Sequence, residues 1–166
     1  MANPHLVHSN ALAWSDLSQG SRFAVRRKQL GTAAHGRKLG CGLLELPPGK
    51  CAWPFHYHLA NEEALFILEG SGTLRLGEER LPVTAGDYVA LPAGPACAHQ
   101  LLNDGPAPLR YLAFSTQLEP DVVVYPDSQK VGVFAGSAPG GTKAERTLEA
   151  FVPLAARVGY WDGELE

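Results

Sequence analysis

Apolar and polar positions in this chain alternate in short runs that Gly and Pro cut apart. The spacing predicts a strand from Arg22 to Leu30, a loop from Gly31 to Gly40, and a short strand over Leu43–Leu46 stopped by Pro47-Pro48-Gly49. Cys51 to His58 reads as extended. Ala64–Glu69 and Thr73–Leu76, on either side of Gly70-Ser71-Gly72, read as a hairpin. Further strands are expected at Tyr88–Leu91, His99–Asn103, Leu109–Ser115, Val122–Tyr125 and Thr147–Pro153, with a Gly-, Ala- and Pro-rich loop over 135–143. Strand-length runs recurring about every ten residues predict an all-β sandwich or barrel. The expected organisation is an N-terminal arm (1–21), one barrel (22–125) and a C-terminal extension (126–166) that packs on the barrel or on a partner subunit.

Composition agrees. Across 166 residues there are 18 Gly and 13 Pro, roughly a fifth of the chain against about 12% in average proteins. Lys plus Arg is 14 and Asp plus Glu is 17. That balance argues against nucleic-acid binding, which needs a basic face, and Arg26-Arg27-Lys28 is too short a run to make one. The longest aliphatic stretch, near Ala64–Leu68, is far too short to cross a bilayer. Cys41, Cys51 and Cys97 are odd in number and form no Cys-x-x-Cys, which suggests reduced thiols in a cytoplasmic protein. No signal peptide is evident.

The candidate chemistry lies at the centre. His56-Tyr57-His58 places two imidazoles on one face of an extended segment, with Cα atoms roughly 6–7 Å apart, close enough to share a metal ion. Glu63 follows beyond a turn, and alternation puts it on one face with Leu65 and Ile67, leaving Glu62 solvated in the turn. A third imidazole, His99, follows Gly86 and Pro92-Ala93-Gly94 and precedes Asn103. The other histidines, His5, His8 and His35, lack such a pattern. Gly49, Gly70, Gly86 and Gly94 read as turn formers, because none opens a helix. Trp53, Phe55 and Tyr57 alternate with the inward positions and are expected to face a second sheet or a subunit contact. Arg75 and Arg110 read as solvated strand residues, and Tyr160–Glu164 as a tail docked on the barrel or a partner.

These two motifs, Gly49 through His56, His58 and Glu63 to Gly70, and Gly86 through Pro92, Gly94 and His99 to Asn103, resemble those of the cupin family over about residues 43–115. Two spacings depart from the common pattern. The first Gly-to-His gap is one residue longer, and the Gly94-to-His99 gap is two longer, so the commonest spacing would select Cys97. Asn103 keeps its usual distance from His99, which selects the histidine, and Cys97 is expected to pack as a small apolar residue. The resemblance implies a single conical jelly-roll barrel. It also implies one divalent transition metal (Mn, Fe, Ni, Cu, Co or Zn) held by His56, His58, Glu63 and His99, a small-molecule ligand or substrate, and a homodimer. An isomerase, a decarboxylase and a dioxygenase all remain open, as does a non-catalytic small-molecule-binding module; no general base stands out apart from Glu62. A titratable group beside the open face of the metal would favour an enzyme, and a lining of Leu65, Ile67 and Leu101 alone would favour simple binding.

Overall fold

In the computed structural model, which describes residues 3–164, the short alternating runs are strands. They are β1 (Ser15–Gln19), β2 (Phe23–Gln29), β3 (Leu39–Leu46), β4 (Lys50–Cys51), β5 (Tyr57–His58), β6 (Glu63–Glu69) and β7 (Ser71–Leu76). After these come β8 (Glu79–Thr84), β9 (Tyr88–Leu91), β10 (His99–Asn103), β11 (Leu109–Thr116), β12 (Asp121–Tyr125), β13 (Lys130–Ala135) and β14 (Leu148–Pro153). One helical turn, α1 (Leu30–Ala33), sits between β2 and β3.

Ten strands form one curled sheet in the order β8-β7-β10-β4-β2-β3-β11-β6-β9, with β1 added beside β2. A smaller sheet runs β14-β13-β12-β5. An isolated antiparallel bridge between His56 and His99 links the end of one sheet to β10 of the other. This is the jelly-roll arrangement. Inward positions of the large sheet form one apolar cluster that includes Val25, Leu44, Leu46, Ile67, Leu74 and Leu109. Such burial is the main favourable term in folding.

The expected hairpin between Ala64–Glu69 and Thr73–Leu76 does not form. β6 pairs with β11 and β9, whereas β7 pairs with β10 and β8. Gly70 between them has φ +85°, and a Cβ there would stand 2.7 Å from the Pro108 carbonyl oxygen. The glycine lets the chain pass tight against the β10–β11 connection and turn a corner into new partners. Alternation reports the face a residue takes, but not the strand beside it.

The outer face of the large sheet carries a row of alternating charge. In register across β1, β2, β3, β11 and β6 stand Asp16, Arg26, Glu45, Arg110 and Glu69. Their ion pairs measure 3.0, 3.1, 2.7 and 3.2 Å in that order. Arg75 is likewise paired, donating to both carboxylate oxygens of Asp127 at 2.7 and 3.0 Å while lying 3.6 Å over the Phe55 ring. Arg75 and Arg110 are therefore held by carboxylates, which strand solvation alone does not anticipate. Phe55 is buried, Trp53 is 38% exposed, and Tyr160 and Trp161 pack on each other but stay exposed. No described helix is long and apolar enough to cross a membrane.

Candidate metal centre

His56 and His58 approach the site on the segment that leads into and forms β5, Glu63 opens β6, and His99 opens β10. The backbone fixes their mutual placement. His56 and His99 exchange N–H···O bonds of 3.1 and 2.8 Å, and the Gly94 N–H donates to the His58 carbonyl at 2.8 Å. Gly94 has φ +115°, a conformation a side chain would resist, and the tight turn Pro95–Cys97 follows it. That turn takes up the longer Gly94-to-His99 spacing, so His99 meets His56 and Cys97 does not. Asn103 pins the far end of β10. Its side-chain amide donates to the Leu46 and Ala107 carbonyls, and its oxygen accepts from the Gly105 N–H.

The four expected side chains come together. Glu63 Oε2 lies 3.2 Å from His99 Nε2, 3.5 Å from His58 Nε2 and 3.8 Å from His56 Nε2. Each histidine commits its other nitrogen. His56 Nδ1 is 2.8 Å from the Pro54 oxygen, His99 Nδ1 is 2.9 Å from the Cys97 oxygen, and His58 Nδ1 is 2.6 Å from Asp121 Oδ2. Carbonyl and carboxylate oxygens only accept, so all three Nδ1 atoms donate. In the neutral rings Nε2 is left with a lone pair, and these lone pairs surround one carboxylate oxygen. Three nitrogens and an oxygen in this arrangement fit a divalent transition ion. The ligand atoms of His56, His58 and Glu63 all lie within 4.8 Å of one another.

The electrostatics set His56 and Glu63 in their metal-binding forms and bias His58 toward its protonated one. Burial, then the charge of His99, pushes His56 down to about 4 against the pull of Glu63, so its ring is neutral at pH 7. Burial alone would raise the Glu63 carboxyl. The His99 hydrogen bond and the charges of His58, His56 and His99 outweigh it and bring the group down to about 2, so it is ionised. For His58 burial works against the charged form, but the Asp121 hydrogen bond and the charges of Glu63 and Asp121 prevail and lift it above its usual value.

Asp121 escaped the sequence reading. It begins β12, 63 residues from His58, with a fully buried side chain whose second oxygen accepts from the Ala60 N–H at 3.0 Å. A carboxylate behind a ligating imidazole fixes its tautomer and raises its basicity. The one local signal was a charged residue at the head of the run Val122–Tyr125. Tyr125 also stands near the cluster, its ring stacked on His56 at 6.1 Å; burial, then the charges of Asp121, Glu63 and Glu149, pushes its phenol up to about 12.

Glu63 borders a cavity of about 620 Å³. Its wall is mixed, with Arg27, Ser115, Gln117, Glu119 and Glu145 beside apolar residues such as Leu44, Trp53 and Phe114. Glu62 is exposed and is not among the cavity-lining residues; its N–H donates to Thr116 Oγ1.

Residues 42–115 match the family described as "Cupin domain". A candidate sugar phosphate isomerase from Acidithiobacillus ferrooxidans is 33% identical with a TM-score of 0.69, over 81% of this chain and 80% of that one. A sugar phosphate isomerase from a cupin superfamily, from Silicibacter pomeroyi, is 25% identical with a TM-score of 0.69, over 83% and 82%. Quercetin 2,3-dioxygenase of Bacillus subtilis is 34% identical over 79 residues, which are 46% of this chain and 23% of that enzyme. The match spans less than half the length of the curated relatives. With the jelly roll, the two motifs and these likenesses together, the chain belongs to the cupin superfamily.

Proposed function

We propose that this protein is a metal-dependent enzyme acting on a small polar metabolite by an isomerase-type reaction, with His56, His58, Glu63 and His99 as the metal ligands. The observation that carries the reading is the convergence of three Nε2 atoms on Glu63 Oε2 while every Nδ1 is already bonded elsewhere. A divalent ion held there would supply a Lewis acid for a carbonyl or hydroxyl oxygen of the substrate. Asp121 orients His58, the His56–His99 bridge sets the spacing of two rings, and Tyr125 keeps a protonated hydroxyl beside the cluster.

Two observations support reading it as an enzyme and, within that, as an isomerase. The cavity beside Glu63 is lined by titratable and amide side chains, not by aliphatic ones alone. The likeness to the proteins named sugar phosphate isomerase extends over most of both chains, whereas the dioxygenase likeness covers under a quarter of that enzyme.

Elemental analysis of tag-free protein purified without chelator, beside His58→Ala, tests the ligand set. About one equivalent of a transition metal is expected in the wild type and none in the variant, with the β-sheet circular dichroism spectrum kept. Retained metal in His58→Ala would remove the assignment. Aldose–ketose interconversion by the loaded protein, followed by NMR on a panel of small sugars and sugar phosphates, tests the reaction class.

A further inference from the structure

We infer that the cavity takes an oxyanion of its ligand on Arg27. Arg27 lies on β2 two residues beyond Val25, on the face that packs into the barrel, and it borders the same cavity as Glu63. Its cross-strand neighbour on β3 is the buried Leu44. The guanidinium is half-buried and lies 6.0 Å from the centre of the Trp53 ring. Arg26, Arg75, Arg110 and Arg146 each hold a carboxylate. Among the described residues no carboxylate pairs with Arg27.

A second guanidinium lies close to Arg27. Arg146 stands near enough that its charge, after burial, lowers the affinity of Arg27 for its proton. Arg146 is itself committed. It pairs with Glu149 at 3.0 Å and donates to the Pro139 carbonyl at 2.6 Å, while its Nε is buried without a partner. Arg27 is thus a partly desolvated cation on the cavity wall with no carboxylate paired to it among the described residues. A guanidinium offers paired donors that match a carboxylate or a phosphate, the shared chemistry of the anion this cavity accepts. The inference rests on the proposed function in that it names a chemical group of the ligand for the same cavity.

Calorimetric titration with inorganic phosphate and, separately, with acetate tests it, on metal-loaded and on metal-free protein. At least one of the two anions should bind, and Arg27→Gln should weaken that binding by about tenfold or more, the loss of a charge-assisted pair. Arg27→Lys keeps the charge and should recover part of the loss. Phosphate as the preferred ion would point to a phosphate ester, and acetate to a carboxylic acid. Equal binding by wild type and Arg27→Gln, no binding of either ion, or a lysine variant no better than glutamine would overturn the assignment. Arg27-dependent binding in a protein that takes up no metal would keep this inference and sink the metal reading. Stoichiometric metal with anion binding indifferent to Arg27 would do the reverse.

Discussion

Each histidine of the cluster is held at two points, by its Nδ1–H bond and by the strand that carries it, so its Nε2 has little choice of direction. The three Nδ1 acceptors differ in what they can do. Pro54 and Cys97 offer neutral carbonyl oxygens, while Asp121 offers a buried carboxylate. His58 is therefore the imidazole of the three whose basicity depends most on its partner. Asp121→Asn keeps the shape and removes the charge, and should lower metal affinity by about 10–100-fold. Competition against a chromophoric chelator measures this, and an affinity within twofold of wild type would mean that Asp121 only packs. At this scale the clustering of His56, His58, Glu63 and His99 was legible in the sequence because two short motifs contain them. Asp121 was not, because its partner is 63 residues away and no local spacing marks a carboxylate supplied by a neighbouring strand so distant in sequence.

At the scale of elements, the charged row across β1, β2, β3, β11 and β6 shows how a barrel can keep its outer face in register. Its centre is Glu45, only 10% exposed at the side chain, between Arg26 and Arg110, which are 43% and 46% exposed. Burial pushes the Glu45 carboxyl up, but the hydrogen bonds and charges of Arg110 and Arg26 outweigh it and leave the group below its ordinary value of 4.5. A carboxylate depressed in the folded state stabilises it at pH values above the unfolded pKa, and that stabilisation is lost as pH falls through the folded pKa. Glu45→Gln should therefore cost about 1–2 kcal/mol at neutral pH and little in acid. Urea unfolding at pH 7 and near pH 3 checks this, and an equal loss at both would show that the carboxylate's charge is not what matters. Strand positions could be read from alternation, as β2, β9, β10 and β11 show, but pairing could not. The β6–β7 corner depends on Gly70 fitting against the Pro108 carbonyl, and the polar run Ser15–Gln19 carries no alternation to betray β1.

For the molecule as a whole, the two sheets meet at the site. His58 and Asp121 belong to β5 and β12 of the small sheet, Glu63 and His99 to β6 and β10 of the large one, and His56 bridges to His99. An ion bound by all four ligands would join elements 43 residues apart in sequence, His56 to His99, and would hold the small sheet against the barrel. Because such a site exists only in the folded chain, binding adds directly to global stability, by about 2.7 kcal/mol when free ion is at a hundred times its dissociation constant. Thermal unfolding of chelator-treated protein should accordingly shift upward with added ion and return when chelator is restored. His58→Ala should abolish the shift and Asp121→Asn should displace it to higher ion concentrations. Hydrogen exchange adds a spatial readout, since protection should rise at β5 and β12 together with β6 and β10. A gain confined to the Cys51–His58 segment would show that the ion orders only that stretch and does not join the sheets.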